Sequence, residues 1–167
     1  MDRFFKEDTD KFKYAHMSDN VKFLPYGVSV DHFQHEVYAN PNMTPDERKA
    51  IWRKLEKMYV PHKDYTENEF LDKGTFWYNQ GHIFSTPFYY IDYTLAGVCA
   101  MQFWKRAAQN DPNTFKDYLK ICNIGGTKSF VNIVKDANLI SPFEKECIPS
   151  IIKDVEEFLY SIDDTKL

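Results

Sequence analysis

The sequence predicts an all-α protein, and three observations carry that prediction. Two stretches have the composition of a helix-opening capping box, Thr44-Pro45-Asp46-Glu47 and Ser141-Pro142-Phe143-Glu144. Apolar residues recur at helical spacing, as at Ile51, Leu55, Met58 and Tyr59. No segment reads as a strand, a hairpin or a repeat. The length of 167 residues suits one domain with a core, and the chain is read as a single piece over residues 1–167.

The elements follow in order. Met1-Asp2-Arg3-Phe4-Phe5 is patterned as the end of a helix with no capping residue before it, which suggests part of a longer chain. Residues 7–24 and 25–41 read as two consecutive helices joined near Pro25, since proline removes a helical hydrogen bond. The box at Thr44 opens a helix that Pro61 ends. Residues 62–74, HKDYTENEFLDKG, form the best candidate for an irregular loop. From Pro87 to about Ala108 runs a helix apolar on nearly all sides, placed at the centre of the fold. Asp111-Pro112-Asn113 starts a helix through Phe115, Tyr118, Leu119 and Ile121, and Gly125-Gly126 stops it. TKSFVNIVKDANL is a short helix. The box at Ser141 opens the last one, through Ile148, Ile151, Ile152, Val155 and Leu159, with Pro149 as a kink.

Composition excludes several classes of function. A net charge of -4 gives no electrostatic footprint for nucleic acid, and no basic block suggests a membrane surface. TLAGVCAMQFW is about half the length of the ~20 apolar residues that a membrane span needs. Cys99, Cys122 and Cys147 have no C-x-x-C spacing, so a zinc ribbon and a secreted disulfide framework are both disfavoured. Buried, inert thiols in a reducing cytoplasm are the expectation. The N-terminal residues do not form a signal peptide, and a cytoplasmic location is expected.

Two clusters invite chemistry. His32 and His35 are neighbours at i, i+3, with Glu36 one turn from His32, so one face could touch a metal. Neither the H-E-x-x-H motif nor its inverted form is present, and packing is the reading adopted for this segment. GGTKS lacks the length and order of a phosphate-binding loop and reads as a helix stop. The second cluster is GHIFSTPFYYIDY, residues 81–93. With Pro87 at the first helical position, Tyr89 and Tyr93 share a face and Tyr90 lies beside Tyr93. Phenols and an imidazole can donate hydrogen bonds to a developing oxyanion, although a ring-rich core would also explain them. Asp92, within so apolar a helix, is expected to need a partner.

The runs PYGVSVDHFQHEVYANPNMTPDERKAIW, HIFSTPFYYIDYTLAGVCAMQFW and GGTKSFVNIVKDANLISPFE resemble oligoendopeptidase F, of the thimet oligopeptidase family of zinc metallopeptidases. The resemblance is collinear over essentially the whole chain, and it corresponds to the C-terminal part of the catalytic domain. It implies an all-α fold with a channel for short peptides. It also implies a zinc ion held by an H-E-x-x-H helix and a further glutamate, all upstream of the matched region. No zinc ligand is therefore expected in this chain, which is expected to be inactive alone. By the same resemblance, His82 matches a histidine that faces the scissile carbonyl, and Tyr93 the tyrosine that stabilises the tetrahedral intermediate. Tyr90, adjacent to it, and His82 are implied to help stabilise the transition state, and Tyr89, with His82, is a substrate-binding candidate. The partners implied are short peptides and an upstream catalytic half, or self-association. The alternative is a non-catalytic helical module that binds peptides or itself.

Overall fold

The computed structural model describes residues 2–163 and 165, so Met1 of the predicted opening helix lies outside the described residues. Among the described residues there are eight α-helices and no strand, in agreement with the predicted class. They are α1 (Asp2–Phe5), α2 (Thr9–Ala39), α3 (Pro45–Tyr59), α4 (Gly81–Ser85), α5 (Ile91–Ala108), α6 (Thr114–Ile124), α7 (Phe130–Asp136) and α8 (Cys147–Tyr160). The chain divides into two compact units, residues 20–94 and residues 1–19 with 95–167.

In the unit of residues 20–94, the predicted break at Pro25 does not occur: α2 is one helix of 31 residues with Pro25 inside it. An interior proline costs a helix roughly 3 kcal/mol. Burial beyond it opposes that loss, since Val30 and Phe33 are both fully buried. The capping box before α3 forms as predicted. Thr44 Oγ1 accepts from the Glu47 N–H at 3.3 Å, and Glu47 Oε2 accepts from the Thr44 N–H at 2.7 Å. The helix then buries Trp52, Leu55 and Glu56. Trp52 meets Phe33 edge-on at 5.2 Å, and Trp77 packs on Phe33 at 4.9 Å with its plane tilted. With Val30, Leu55 and Ile83 these rings are the core of the unit.

The predicted loop over 62–74 is only partly irregular, because Leu71–Thr75 closes a single π-helical turn followed by a 3₁₀ turn over Phe76–Asn79. Gly74 makes that turn possible. Its φ is +85°, and a Cβ there would collide with the carbonyl oxygen of Lys49 on α3. Arg53 holds the turn against α3 through Nε and Nη2, at 3.1 and 2.8 Å from Asp72 Oδ1.

In the other unit, Val98, Met101, Val134, Ala137, Cys147, Ile151 and Val155 are buried. Gln102 joins the loop before α8, accepting from the Ile140 N–H and donating to the Ile140 carbonyl, both at 2.8 Å. The box at Ser141 does not open a helix. Ser141 and Glu144 instead close a turn, and α8 starts at Cys147, which places Pro149 in the first helical turn. A start at Pro142 would have put Pro149 in the interior, where its missing N–H and its ring both disrupt the ladder. Gly125, at φ +53°, ends α6 as predicted. That helix turns its apolar residues outward, with Phe115, Tyr118 and Leu119 exposed and Asp117 buried.

Asp117 is the polar centre of this unit. It accepts from Arg106 Nη2 at 2.6 Å and from Asn138 Nδ2 at 3.0 Å, with Lys120 Nζ at 2.7 Å. The hydrogen bond from Lys120, then those from Arg106 and Asn138, hold its carboxyl well below the usual carboxylate range. Because its folded pKa is depressed, the stability it contributes is fully present above the ordinary value of 3.8 and is lost as pH falls below it. Urea melts on the acid side should therefore show stability falling less steeply with pH in Asp117→Asn than in the parent. Parallel slopes would mean that the carboxylate contributes nothing to acid sensitivity.

The helix α5 is less central than its composition predicts. Thr94, Val98, Met101 and Gln102 are buried on one face, whereas Asp92, Tyr93, Ala96 and Ala100 are exposed on the other. Its alanines leave little apolar surface to bury on that face. No helix among the described residues is long and apolar enough to cross a membrane.

Candidate functional site

Residues 81–93 do not form a helix from Pro87. The short helix α4 carries His82, residues 86–90 turn, and α5 begins at Ile91. The turn depends on Phe88, which adopts a left-handed backbone conformation at φ +60°. Its N–H is not left orphaned, because the side-chain oxygen of Gln34 on α2 accepts it at 2.8 Å. Gln34 is itself buried, and its amide nitrogen donates to the Val30 carbonyl at 3.2 Å. The ring of Phe88 packs on His35 at 4.8 Å and on Tyr38 at 5.2 Å.

This turn brings the four candidate residues together. The His82 ring lies 5.2 Å from Tyr90, 5.8 Å from Tyr93 and 6.0 Å from Tyr89, edge-on to the first two and stacked on the third. Tyr93 is 5.3 Å from Tyr89 and 5.4 Å from Tyr90. The tyrosines differ in their surroundings. Tyr90 packs against the core, with ring contacts to Phe23 and Tyr26, whereas Tyr89 and Tyr93 are each 41% exposed. A hydrogen bond with the Tyr89 hydroxyl, and secondarily burial, raises the pKa of Tyr93. Tyr93 is thus a neutral phenol across the physiological range.

Asp92 needs no buried partner, because it is exposed in the first turn of α5, where a carboxylate complements the helix dipole. His32 and His35 do not converge. His32 Nδ1 bonds the Tyr59 hydroxyl at 2.9 Å and its Nε2 lies 3.4 Å from Glu36, whereas His35 Nε2 lies 3.3 Å from Asp31. Each imidazole is engaged by a neighbour on its own helix or on α3, which is a packing arrangement. Among the described residues, no three His, Cys, Asp or Glu side chains are grouped so as to hold a metal ion. The donor set of the described residues therefore does not fit a zinc site.

The cysteines are less uniform than predicted. Cys147 is buried, Cys99 is half-buried and Cys122 is exposed. Burial pushes the Cys99 thiol up to about 11 and raises Cys147 as well, so neither is a thiolate near neutral pH. Cys122 lies on α6 one turn after Tyr118, whose pKa it raises.

Sequence reasoning missed Gln34 and Tyr26. Gln34 lies four residues after Val30 and one after Phe33, within a buried stripe, and a polar residue at such a position has to be bonded. That was a legible signal. Tyr26 meets Trp52, Phe76 and Tyr90 edge-on, and burial, first among several causes, raises its pKa.

Residues 3–151 match peptidase family M3. Three solved structures are similar to the chain. One is assigned as oligoendopeptidase F, with 53% identity and a TM-score of 0.94 over 100% of this chain and 30% of that one. The second is PZ peptidase A with an inhibitor, at 54% identity and TM-score 0.93 over 98% of this chain and 29% of that one. The third, from Bacillus anthracis strain Ames and also assigned as oligoendopeptidase F, has 48% identity and TM-score 0.80 over 100% of this chain and 26% of that one. The chain thus spans less than a third of the solved chains that it matches. A search of curated proteins gives no match.

Proposed function

The chain belongs to peptidase family M3, and on that premise we propose that it is the C-terminal part of a peptidase catalytic domain that supplies one wall of a site for short peptides. The observation that carries this reading is the convergence of the rings of His82, Tyr89, Tyr90 and Tyr93, with Tyr89 and Tyr93 exposed. Tyr93 donates a hydrogen bond to the oxygen of the scissile carbonyl as negative charge develops on it. Tyr89 holds the Tyr93 hydroxyl in place. His82, stacked on Tyr89, positions the peptide backbone. Tyr90, packed on the core, fixes the other rings. A donor already in position needs no reorganisation when charge appears, and this is where such groups act most strongly.

The metal and the general base lie outside this chain, on an upstream half of the same domain. Residues of this chain account only for orientation and hydrogen bonding. The reading is tested by assaying bound zinc by atomic emission, together with hydrolysis of a quenched fluorescent peptide. Both are measured for the chain alone and after mixing with an upstream segment that carries the H-E-x-x-H helix. The expected result is no turnover for either piece and chelator-sensitive turnover for the mixture. Stoichiometric zinc with chelator-sensitive cleavage by the chain alone would overturn it.

A further inference from the structure

The segment that carries the three tyrosines is held at both of its ends by one face of α2. Gly27 and Gln34 lie about two turns apart on that helix, and hence on the same side of it. Both are buried. All the residues concerned belong to the unit of residues 20–94.

Gly27 meets Thr94, the residue after Tyr93. A Cβ at Gly27 would lie 1.9 Å from Thr94 Oγ1, far inside van der Waals contact. Only a residue without a side chain lets the first turn of α5 come this near. Thr94 is 5% exposed, so its hydroxyl has little room to turn aside. That hydroxyl makes no hydrogen bond, and the close approach is a matter of shape. Gln34 meets Phe88, the residue before Tyr89, and accepts its N–H at 2.8 Å. Between these two contacts, Phe23 and Tyr26 of α2 receive the Tyr90 ring at 5.9 and 6.1 Å.

Neither residue suits the helix it sits in. Glycine destabilises a helix interior relative to alanine, and a buried amide has to give up its water. What they do is fix the segment opposite, because Phe88 and Thr94 bracket Tyr89, Tyr90 and Tyr93. We propose that this face of α2 sets the position of the tyrosine wall, with Gly27 and Gln34 as positioning residues for the reaction. Being buried, they act through Thr94 and Phe88 and not on the peptide. The inference rests on the reading of His82 and the three tyrosines as a wall of a peptide site.

A methyl group at Gly27 can reach ordinary contact distance only if the first turn of α5 retreats by about 1 Å or more, a misplacement that costs a reaction about 10²-fold. In the mixture of this chain with its upstream segment, Gly27→Ala should therefore lower kcat by about 10–100-fold with KM little changed. Thr94→Ala removes the hydroxyl that the new methyl group strikes, and leaves the Thr94 Cβ position at an ordinary 3.4 Å. The double variant Gly27→Ala/Thr94→Ala should accordingly regain most of the lost kcat, whereas two unrelated structural defects would add. Gln34→Met, which keeps the bulk and removes the acceptor, should also lower kcat.

A second readout needs no activity. With ¹³C-labelled tyrosine rings, the resonances of Tyr89, Tyr90 and Tyr93 should move in Gly27→Ala and in Gln34→Met, while those of Tyr118 and Tyr160 in the other unit stay fixed. Unmoved site rings, movement of every tyrosine, or a double variant no better than Gly27→Ala would each overturn the inference. Tyr93→Phe, measured alongside, separates the two possible failures. A loss there with parental kcat in Gly27→Ala and Gln34→Met strikes the positioning role alone. Full activity there strikes the peptide-wall reading, and the ring resonances then decide whether α2 positions the tyrosines.

Discussion

Glu56→Ala is expected to destabilise the chain by about 3–5 kcal/mol, the usual result of removing one partner from a buried ionic network. Glu56 is fully buried on α3. Its Oε1 accepts from the Tyr65 hydroxyl at 2.9 Å and lies 3.9 Å from Lys63 Nζ, and its Oε2 lies 3.6 Å from Arg53 Nη1. The cations around it depend on that carboxylate. Lys63 Nζ sits 3.5 Å from the centre of the Phe76 ring and 4.8 Å from that of Tyr26, and burial lowers its pKa while Glu56 opposes the shift. Alanine would leave Lys63 against two rings without a counter-charge, and would leave Tyr65 without an acceptor. Cation–π attraction of ~1–2 kcal/mol does not compensate for this. Glu56→Gln keeps an acceptor for Tyr65 and should lose less. The measurement is the urea midpoint at constant m-value. A loss under about 0.5 kcal/mol for the alanine variant, the range of ordinary surface changes, would show that the network is solvated.

The second large effect concerns activity. In the mixture of this chain with its upstream half, Tyr93→Phe should lower kcat by about 10²–10³-fold with KM little changed, the signature of a donor used in the transition state. Tyr89→Phe should cost less than about tenfold, because it removes a group that orients Tyr93 and leaves the donor itself intact. Tyr90→Phe should change kcat by less than Tyr93→Phe and leave stability nearly unchanged, since the ring that packs on Phe23 and Tyr26 is retained. Equal losses for Tyr89→Phe and Tyr93→Phe would mean that the pair donates as a unit. A kcat unmoved by Tyr93→Phe would sink the assignment.

Much of this was legible in the residues because the signals are local. The box at Thr44 works since Thr44 and Glu47 bond each other across one turn, and Gly125 ends α6 since a positive φ is a property of one residue. The His/Tyr cluster was visible because its members lie within one short segment. The failures are all places where distant contacts or a competing proline decided the outcome. Pro25 stays inside α2 because residues beyond it are buried, which no property of Pro25 itself announces. Ser141 and Glu144 have the composition of a cap, yet Pro149 moves the helix start downstream. The aromatic turn at residues 86–90 depends on Gln34, more than fifty positions earlier in the chain. The exposed side of α6 is a further case, since helical spacing reveals an apolar stripe but not which way it faces.

The bond from the Phe88 N–H to Gln34 has a practical consequence for protein engineering. Residues 81–93 look like a portable cassette, a short peptide that could be grafted onto another helical scaffold to donate phenol hydroxyls. A graft of that segment alone would leave Phe88 free to relax out of its left-handed conformation, and α5 would then be free to start at Pro87, as its sequence favours. The register of Tyr89 and Tyr93 would change with it. The transplantable unit is discontinuous: it includes the stretch of α2 from Val30 to Tyr38, and a designer who omits it moves the residues without their arrangement.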